Sequence, residues 1–466
     1  MNIKTTPLVT LFMSGLIAFS ALNANTAHAQ DKPYSVPPSD APQLATIGGF
    51  PVGIKTVRMV NPKQPDLPKA IMSGGKELQS DRVLQVEIWY PAIASAGGAP
   101  SVRYTTKLPR LSSGVNSGKD LSVPGLAVRD AVPVMGAGAN GKKFPLVLVS
   151  HGFGGWGTFM SYLTENLASK GYVVAAIDHA DQSFTDGGSF GLSFGSVLIH
   201  RARDQQFVLQ QLVEMAQNAD DAVGRVIDTQ NIGVIGYSMG GFGALTTAGA
   251  GYEPTSPTFK QLPAEIFAPL AHGNAEYNKT RPANINALVL LAPWGGQPAN
   301  RAWSVDSLKS IKAPTLLVAG DQDDIVDFKD GVSWIFENLK SSSRQLLVYQ
   351  NARHNVGGNA PPIAALEDFA VRDYFDEPAW RKDRIMAINQ HFISAFLDVH
   401  LKKDPAKKKF LDVMPVRSNE ARWPVSFGQN TGATFATGTG ETANYWVGFQ
   451  RRWALGLEMH RKAIGE

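Results

Sequence analysis

The sequence predicts an α/β fold, with about eight strands in a mostly parallel sheet and helices on both of its faces. Strands that are buried on both faces are continuous apolar runs, and several such runs are present here. Segments of helical periodicity separate several of these runs, and strands that alternate with helices are typical of a parallel sheet. The central runs are residues 145–150, 172–177, 232–235, 287–291, 314–319 and 345–349.

The first residues are typical of a secretory signal. Lys4 precedes an apolar segment at residues 8–22, and Ala-His-Ala at 27–29 supplies a cleavage site before Gln30. We therefore expect residues 1–29 to be removed and the protein to be secreted or periplasmic in a bacterium. The apolar segment is short for a membrane span and no later segment is long enough, so no transmembrane segment is expected in the mature chain.

The composition is that of a globular protein with a large buried core. Hydrophobic residues make up 44% and charged residues 18% of the 466 residues. Removal of residues 1–29 takes away Lys4 and no acid, so the net charge falls from +4 to +3. This weak charge gives little support to nucleic-acid binding. Because the chain has no cysteine, disulfides, thiolate metal sites and cysteine nucleophiles are excluded.

The other elements follow in chain order. Residues 30–45 are rich in Pro and predict a flexible leader. Residues 54–60 and 83–90 predict two strands, and the alternation in the second indicates an antiparallel hairpin at the edge of the sheet. Residues 92–143 are rich in Gly, Ser and Pro and predict a long surface excursion. Helical patterns cover residues 158–170, 197–216, 238–250, 328–339 and 384–402.

These elements predict one α/β domain over residues 46–402. Within it, residues 249–281 form an irregular, Pro-containing insertion that is well placed for a lid. Residues 403–466 are expected to be a C-terminal extension that packs on the same domain.

A G-x-S-x-G motif at residues 236–240 marks Ser238 as the candidate nucleophile. The motif follows one apolar run and precedes a helical pattern, which is the context that it requires. The turn leaves no room for a Cβ beside the serine, and its strain lifts the hydroxyl clear of the backbone. Two further matches, at 187–191 and 191–195, follow no apolar run and lie in a Gly/Ser-rich stretch that predicts a loop.

Carboxylates and a histidine follow later strands. Asp-Gln-Asp-Asp at 321–324 follows the run 314–319, and His354 follows the run 345–349. The carboxyl ends of parallel strands meet at one edge of a sheet, where ligands bind. The chain order Ser, Asp, His is that of α/β hydrolases. In such a triad the histidine takes the serine proton, while the carboxylate orients the imidazole and stabilises its charged form.

Backbone N–H groups must stabilise the oxyanion of the tetrahedral intermediate. We assign this role to Met239, directly after the nucleophile, and to Phe153 in the His-Gly-Phe-Gly-Gly loop at 151–155. His151 is expected to support this loop rather than to act as a base.

Other polar residues near these strands have two possible roles. Asp178, His179 and Asp181 follow the run 172–177 and could either line the site or cap the next element. The remaining histidines lack the paired spacing of metal ligands, so no metal site is expected. These are His200, His272, His391, His400 and His460.

Several segments resemble a known family. Residues 144–181 (FPLVLVSHGFGGWGTFMSYLTENLASKGYVVAAIDHAD), 201–212, 236–241 and 290–296 resemble platelet-activating-factor acetylhydrolase-like and dienelactone-hydrolase-like esterases, and 445–460 is similar to the tail of bacterial members. The resemblance implies a serine esterase without a cofactor that prefers short acyl groups. It also implies the site residues, which are Ser238 as nucleophile, His354 as base, and Phe153 and Met239 as oxyanion donors.

The sequence departs from the eukaryotic acetylhydrolases at the acid. Those enzymes place it directly after the strand that follows the nucleophile helix, where this chain has Leu-Ala-Pro-Trp at 291–294. The acid must therefore come one strand later, which favours a more general bacterial esterase. The family pattern G-x-x-D, with an aliphatic residue three positions on, fits residues 320–326 with Asp323 as the acid. Asp321 is expected to cap the turn, and Asp324 to point away.

Aromatic residues near the predicted site indicate either an apolar pocket for the acyl or alcohol group or part of the core. These residues are Trp156, Phe242 and Trp294, together with Phe153. The expected substrate is a small-molecule or lipid-like ester.

Two alternatives compete with a serine esterase. Residues 152–157 also match G-x-G-x-x-G between a strand and a helix, with Asp178 at the end of the next strand, as in an NAD-binding oxidoreductase. That alternative leaves Ser238, Asp323 and His354 unexplained, and free nicotinamide cofactor is scarce outside the cytosol. A catalytically inactive hydrolase-fold binding protein would normally lack a member of the triad, and none is missing.

Overall fold

The computed structural model describes residues 32–74, 78–94, 101–107, 120–138, 143–179, 190–260, 262–282, 284–423 and 444–466. The predicted signal at residues 1–29 lies outside these ranges. So do Asp181 and most of the additional G-x-S-x-G match at residues 187–191.

Within these ranges the chain forms an α/β structure. The strands are β1 (Val52–Pro65), β2 (Gln79–Pro91), β3 (Arg103–Lys107), β4 (Asp120–Pro124), β5 (Val128–Arg129), β6 (Phe144–Ser150), β7 (Val173–Asp178), β8 (Ile227–Tyr237), β9 (Ile285–Leu291), β10 (Thr315–Gly320), β11 (Arg344–Tyr349) and β12 (Leu457–Lys462). The α-helices are α1 (Leu67–Met72), α2 (Ser161–Ser169), α3 (Phe190–Gln217), α4 (Met239–Thr247), α5 (Ala264–Phe267), α6 (Ala275–Thr280), α7 (Val305–Leu308), α8 (Ser333–Asn338), α9 (Phe369–Asp373) and α10 (Lys382–His400). No helix in the described ranges is both long and apolar enough to cross a bilayer.

Ten of the strands form one sheet in the order β12-β11-β10-β9-β8-β6-β7-β2-β1-β5. Strands β6 to β11 are parallel to their neighbours among themselves, whereas β2 is antiparallel to both β7 and β1, and β12 is antiparallel to β11. The predicted α/β fold with a mostly parallel sheet is therefore confirmed. The predicted hairpin is β1–β2, and the two-residue strand β5 pairs with its outer side.

The central strands are apolar because they are covered by other parts of the chain. Every residue of β6 is buried, as are the last five residues of β9 and all of β10. Helix α3 packs against α4, and α10 packs against α2. Burial of this apolar surface contributes roughly 25 cal/mol per Å² to the stability of the sheet.

Helix α3 begins at Phe190, within the stretch that the sequence predicts to be a loop. The additional G-x-S-x-G match at 191–195 is therefore helical. Tertiary packing overrides the low helix propensity of its two glycines. Phe194 packs edge-on against Phe153 with ring centroids 5.7 Å apart, and Gly195 allows a close approach of α1.

The insertion at residues 249–281 is anchored to the nucleophile helix. It contains the short helices α5 and α6. The ring of Tyr252 stacks on Phe242 of α4 at 5.3 Å, and the Tyr277 hydroxyl donates a hydrogen bond to the carbonyl of Thr246. A role for this insertion as a lid stays a prediction.

An edge strand comes from the predicted C-terminal extension. Strand β12 pairs with β11, and its residues Leu457 and Met459 are buried, while the intervening Glu458 is only half-buried. The N–H of Met459 also donates to the carbonyl of Val416 at 2.9 Å. Sequence reasoning missed this strand because it contains only two buried apolar residues, and so short an alternation is not recognisable among polar residues.

Candidate active site

Ser238 lies on the sharp turn between β8 and α4. Its backbone has φ 51° and ψ −114°, a strained conformation for a residue with a Cβ. The turn requires glycine on both sides, because a Cβ on Gly236 would lie 2.4 Å from the carbonyl of Gly240, and one on Gly240 would lie 2.0 Å from the carbonyl of Ser150. The N–H of Ser238 donates to the carbonyl of Leu291 at 2.9 Å, which ties the turn to β9.

The structure brings Ser238, His354 and Asp323 into one hydrogen-bonded row. Nε2 of His354 lies 3.0 Å from Oγ of Ser238, and Nδ1 lies 2.8 Å from Oδ2 of Asp323. With Nδ1 donating to the carboxylate, Nε2 can accept the proton of the serine hydroxyl. The side chain of Asp323 is fully buried, whereas that of His354 is 15% exposed. The imidazole is therefore accessible from the solvent side, while the carboxylate lies behind it.

The Asp323 carboxylate is held by its own loop. Its second oxygen, Oδ1, accepts hydrogen bonds from the N–H groups of Ile325 at 3.0 Å and Val326 at 3.1 Å. Both oxygens are thus engaged, so the carboxylate has one orientation. The loop follows β10, one strand beyond β9, which is where the sequence places the acid.

The neighbouring acids point elsewhere. Oδ1 of Asp321 accepts a hydrogen bond from the N–H of Asn351 at 2.7 Å, so it binds the loop after β11 rather than its own turn. The side chain of Asp324 is 63% exposed and lies 3.5 Å from the guanidinium of Arg353. Of these acids, only Asp323 contacts the imidazole.

Glu377, which sequence reasoning missed, binds the backbone on both sides of His354. Glu377 accepts hydrogen bonds from the N–H groups of Arg353 and Asn355, both at 2.6 Å. Burial raises the pKa of Glu377, and the two N–H groups and the positive charge of Lys382 oppose that shift. Glu377 thus fixes the backbone on both sides of the base. It lies in a segment without periodicity or motif, and no sequence signal points to it.

The loop after β6 lies against Ser238. A Cβ on Gly152 would lie 3.1 Å from Cβ of Ser238, so this glycine allows the backbone to approach the nucleophile. Phe153 follows Gly152, and Met239 is the first residue of α4, where N–H groups have no acceptor within the helix. The two predicted oxyanion donors are therefore both next to Ser238.

A cavity of about 260 Å³ opens above Ser238. Two charged residues of opposite sign, Arg353 and Asp373, also line the cavity, and Nη1 of Arg353 lies 3.6 Å from Oδ1 of Asp373. None of the residues that line this cavity belongs to the described part of the insertion at 249–281. The apolar part of the lining is formed by Phe153, Phe159, Tyr237, Ile325 and Tyr374.

The three aromatic residues that the sequence offers as possible pocket residues do not line this cavity. Phe242 is fully buried, because every residue of α4 is covered by other parts of the chain, so it belongs to the core. Trp294 is 7% exposed and packs edge-on against both Phe194 and Phe242. Trp156 packs on Phe159, which does line the cavity.

A second Ser-His-Asp row lies at the start of the loop at residues 151–155 and is buried. Nε2 of His179 is 2.8 Å from Oγ of Ser150, and Nδ1 is 2.7 Å from Oδ2 of Asp204. Arg82 forms a bidentate ion pair with Asp204 at 2.7 and 2.9 Å. Burial alone would raise the pKa of Asp204, but Arg82 and His179 hold it well below its usual range. This row connects β2, β6 and α3. Because Ser150 is fully buried, the row is closed to substrate.

His151 contacts its own loop, where the sequence predicts a supporting role. Its Nδ1 lies 2.7 Å from the carbonyl of Gly152, and its ring packs edge-on against His179 at 5.1 Å. Burial, with the positive charge of Arg201, lowers the pKa of His151 well below its usual range, so the ring is neutral. His179 itself does not line the cavity, and Asp178 is the last residue of β7.

The glycine-rich loop at residues 152–157 does not open a helix. Residues 153–154 and 157–160 form turns, and α2 begins only at Ser161. A dinucleotide-binding loop leads directly into the helix whose N-terminus receives the pyrophosphate. Here the first glycine of the loop lies against Ser238, so the geometry differs from that of a dinucleotide site.

The parallel sheet and the nucleophile turn at the end of β8 define the α/β-hydrolase fold. A family model described as platelet-activating factor acetylhydrolase, isoform II, matches residues 119–189, and one described as the prolyl oligopeptidase family matches residues 158–374. The first match confirms the resemblance to platelet-activating-factor acetylhydrolases. The chain therefore has the α/β-hydrolase fold and is similar to this family.

Individual relatives are similar over parts of their length. The platelet-activating factor acetylhydrolase of Bos taurus is 32% identical over 99 residues, which cover 19% of this chain and 22% of the relative. Cutinase 2 of Thermobifida cellulosilytica is 26% identical over 214 residues, which cover 46% of this chain and 61% of the relative. The chain thus spans less than two thirds of the curated relatives that it matches. A solved ferulic acid esterase from Streptomyces cinnamoneus is 22% identical, with a TM-score of 0.49, over 76% of this chain and 92% of that one.

Proposed function

We propose that the protein is a serine esterase that hydrolyses carboxylic esters through an acyl-enzyme on Ser238. The observation that carries this proposal is the row in which His354 lies 3.0 Å from the Ser238 hydroxyl and 2.8 Å from the Asp323 carboxylate. The similarity to platelet-activating factor acetylhydrolase and cutinase supports an ester as the substrate.

In this mechanism Ser238 Oγ attacks the ester carbonyl while its proton passes to Nε2 of His354. Asp323 orients the imidazole and stabilises its charged form. The tetrahedral intermediate then collapses, and His354 gives the proton to the leaving alcohol. Water, activated by His354 in the same way, attacks the acyl-enzyme and releases the acid and the free serine.

The negative charge on the tetrahedral oxygen requires donors that are already in place. We assign these to the backbone N–H groups of Phe153 and Met239, which lie beside Ser238. One such donor contributes on the order of 10² to 10³ in kcat in serine hydrolases.

The proposed substrates are small, short-acyl esters. A cavity of about 260 Å³ is small for a long chain, and its apolar wall suits an alkyl group. The resemblance to the acetylhydrolase family favours the same choice. We therefore expect a nitrophenyl acetate or butyrate to give a higher kcat/KM than a dodecanoate, and the reverse order would overturn the short-acyl assignment.

We further propose that the enzyme acts outside the bacterial cytosol after removal of residues 1–29. The support is the sequence pattern of Lys4, the apolar segment at residues 8–22 and the Ala-His-Ala site at 27–29. Mass spectrometry of exported protein should find Gln30 as the first residue. An exported chain with intact Met1 contradicts this proposal.

A fluorophosphonate probe tests the chemistry directly. It should label Ser238 once, and labelling should abolish turnover of nitrophenyl esters. The variant Ser238→Ala should neither react with the probe nor turn over, with an unchanged melting temperature. Turnover by Ser238→Ala, or labelling at Ser193, would refute the assignment, and tight binding of NAD in calorimetry would revive the dinucleotide alternative.

A further inference from the structure

The carbonyl oxygen of Gly152 receives three hydrogen bonds. Nδ1 of His151 lies 2.7 Å from it, Nη2 of Arg201 lies 3.2 Å from it, and the N–H of Gly155 closes the turn at 3.3 Å. Because a carbonyl can only accept, each of these nitrogens is a donor. This oxygen belongs to the same peptide unit as the N–H of Phe153.

Arg201 reaches this carbonyl from α3. Its side chain is fully buried. A Cβ on Gly243 would lie 2.9 Å from Cβ of Arg201, so α3 and α4 are in close contact at this point. A buried guanidinium carries a large desolvation penalty, and the carbonyl of Gly152 is one of the acceptors that offset it.

We propose that Arg201 is a positioning residue of the oxyanion hole, which it orients and polarises through the Gly152–Phe153 peptide. The inference rests on the proposed esterase function. In a trans peptide the C=O and N–H bonds point in opposite directions. Donors that hold Gly152 O on one side therefore direct the N–H of Phe153 to the other side, towards the cavity that Phe153 lines.

The positive charge of Arg201 beside the carbonyl oxygen of Gly152 also makes the N–H of Phe153 a stronger hydrogen-bond donor. It draws electron density along the peptide, so the N–H of Phe153 carries more positive charge, as in a chain of cooperative hydrogen bonds. The reacting oxygen becomes an anion only in the transition state and the tetrahedral intermediate. Arg201 should therefore affect kcat and leave KM nearly unchanged.

The test is Arg201→Met, which keeps the length of the side chain and removes its charge and its hydrogen bonds. Rates are divided by the concentration of active sites, which is measured by titration with the fluorophosphonate probe. We expect kcat on nitrophenyl butyrate to fall by about 10- to 100-fold, somewhat less than for complete loss of an oxyanion donor. KM should change by less than about threefold. The inhibition constant of a short-chain trifluoromethyl ketone, which forms an oxyanion on Ser238, should rise by the same factor as kcat falls.

Arg203→Met is the matched control. Arg203 lies on the same helix, and its guanidinium donates to a backbone carbonyl too, that of Ile266 in the insertion. Its loss should lower the melting temperature and leave kcat per site unchanged. A similar fall in kcat in both variants would mean that α3 acts only through stability, and would overturn the inference.

A second variant decides the question if Arg201→Met does not fold. Arg201→Gln removes the positive charge and keeps a side chain that can still donate a hydrogen bond. It should lower kcat per site with KM unchanged, and a wild-type kcat would overturn the inference. Failure of the esterase proposal is a separate outcome, because wild-type protein would then show neither ester turnover nor labelling of Ser238.

Discussion

Tyr237 holds His354 at two points. Its hydroxyl donates to the backbone carbonyl of His354 at 3.1 Å, and its ring stacks on the imidazole with centroids 5.4 Å apart and an interplanar angle of 30°. Tyr237 is the last residue of β8 and directly precedes Ser238. The residue before Ser238 therefore helps to place His354, so the side chains of the proposed nucleophile and base depend on one residue.

Tyr237→Phe tests the first of these two contacts, the hydrogen bond. It removes one hydrogen bond, worth about 1 kcal/mol net, and keeps the ring stack. We expect a lower melting temperature and a severalfold fall in kcat, of at most about tenfold. Tyr172→Phe is the control, because it removes a phenol that donates to Asp398 on α10 at 2.7 Å. It should lower the melting temperature without changing kcat, and an equal kinetic effect in both variants would contradict a role for Tyr237 in placing His354.

The two acids of the loop after β10 should separate clearly in kinetics. Asp323→Asn leaves the imidazole in the wrong tautomer, which lowers kcat by about 10⁴ in the serine-protease example of this effect. Asp321→Asn loses only the hydrogen bond to the N–H of Asn351, so it should lower the melting temperature modestly and keep kcat within about tenfold. Steady-state kinetics with thermal melts measure both effects. A kinetic loss that falls on Asp321 would contradict the geometric assignment.

Glu377→Gln should loosen the backbone around His354. The amide oxygen can keep one of the two N–H hydrogen bonds, but the NH2 group cannot accept the other. We expect kcat to fall by roughly tenfold while the fluorophosphonate still titrates one site per chain. As a control, Glu276→Gln changes an exposed acid in α6 and should leave kcat unchanged. A fall in melting temperature without any fall in kcat would mean that Glu377 only stabilises the fold.

Stability should decrease towards acid pH through His391. Burial and the charge of Lys170 lower the pKa of His391 from 6.5 to about 3. Between these values the unfolded chain binds a proton that the folded protein does not bind, so the free energy of unfolding falls as the pH is lowered through this range. His391→Gln can still accept the hydrogen bond from the N–H of Leu44 but cannot titrate. Urea unfolding at pH 7 and pH 4.5 should therefore show a smaller difference for the variant, and an equal difference would contradict this role.

The sequence reveals those parts of the fold and the site whose signal is local. Continuous apolar runs predict the central strands, and the glycines around Ser238 predict a turn that tolerates no Cβ. The proximity of Ser238, Asp323 and His354 follows from the edge at which the carboxyl ends of parallel strands meet. The roles of Glu377 and Tyr237 are not visible in this way, because each depends on a contact with a loop that is distant in the chain. The same holds for the row of Ser150, His179 and Asp204, whose members share no motif.

Strand β12 has a consequence for how this protein reaches its native state. Strand β11, which leads into the loop of the base, pairs with β10 on one side and with β12 on the other. Residues 457–462 are synthesised long after β11, so until they arrive one side of β11 is an open edge with unpaired backbone groups. Such an edge is a template for pairing with another chain. Fragments that end between residues 403 and 456 should therefore aggregate, and ordering of the loop that carries the base should be a late event in folding.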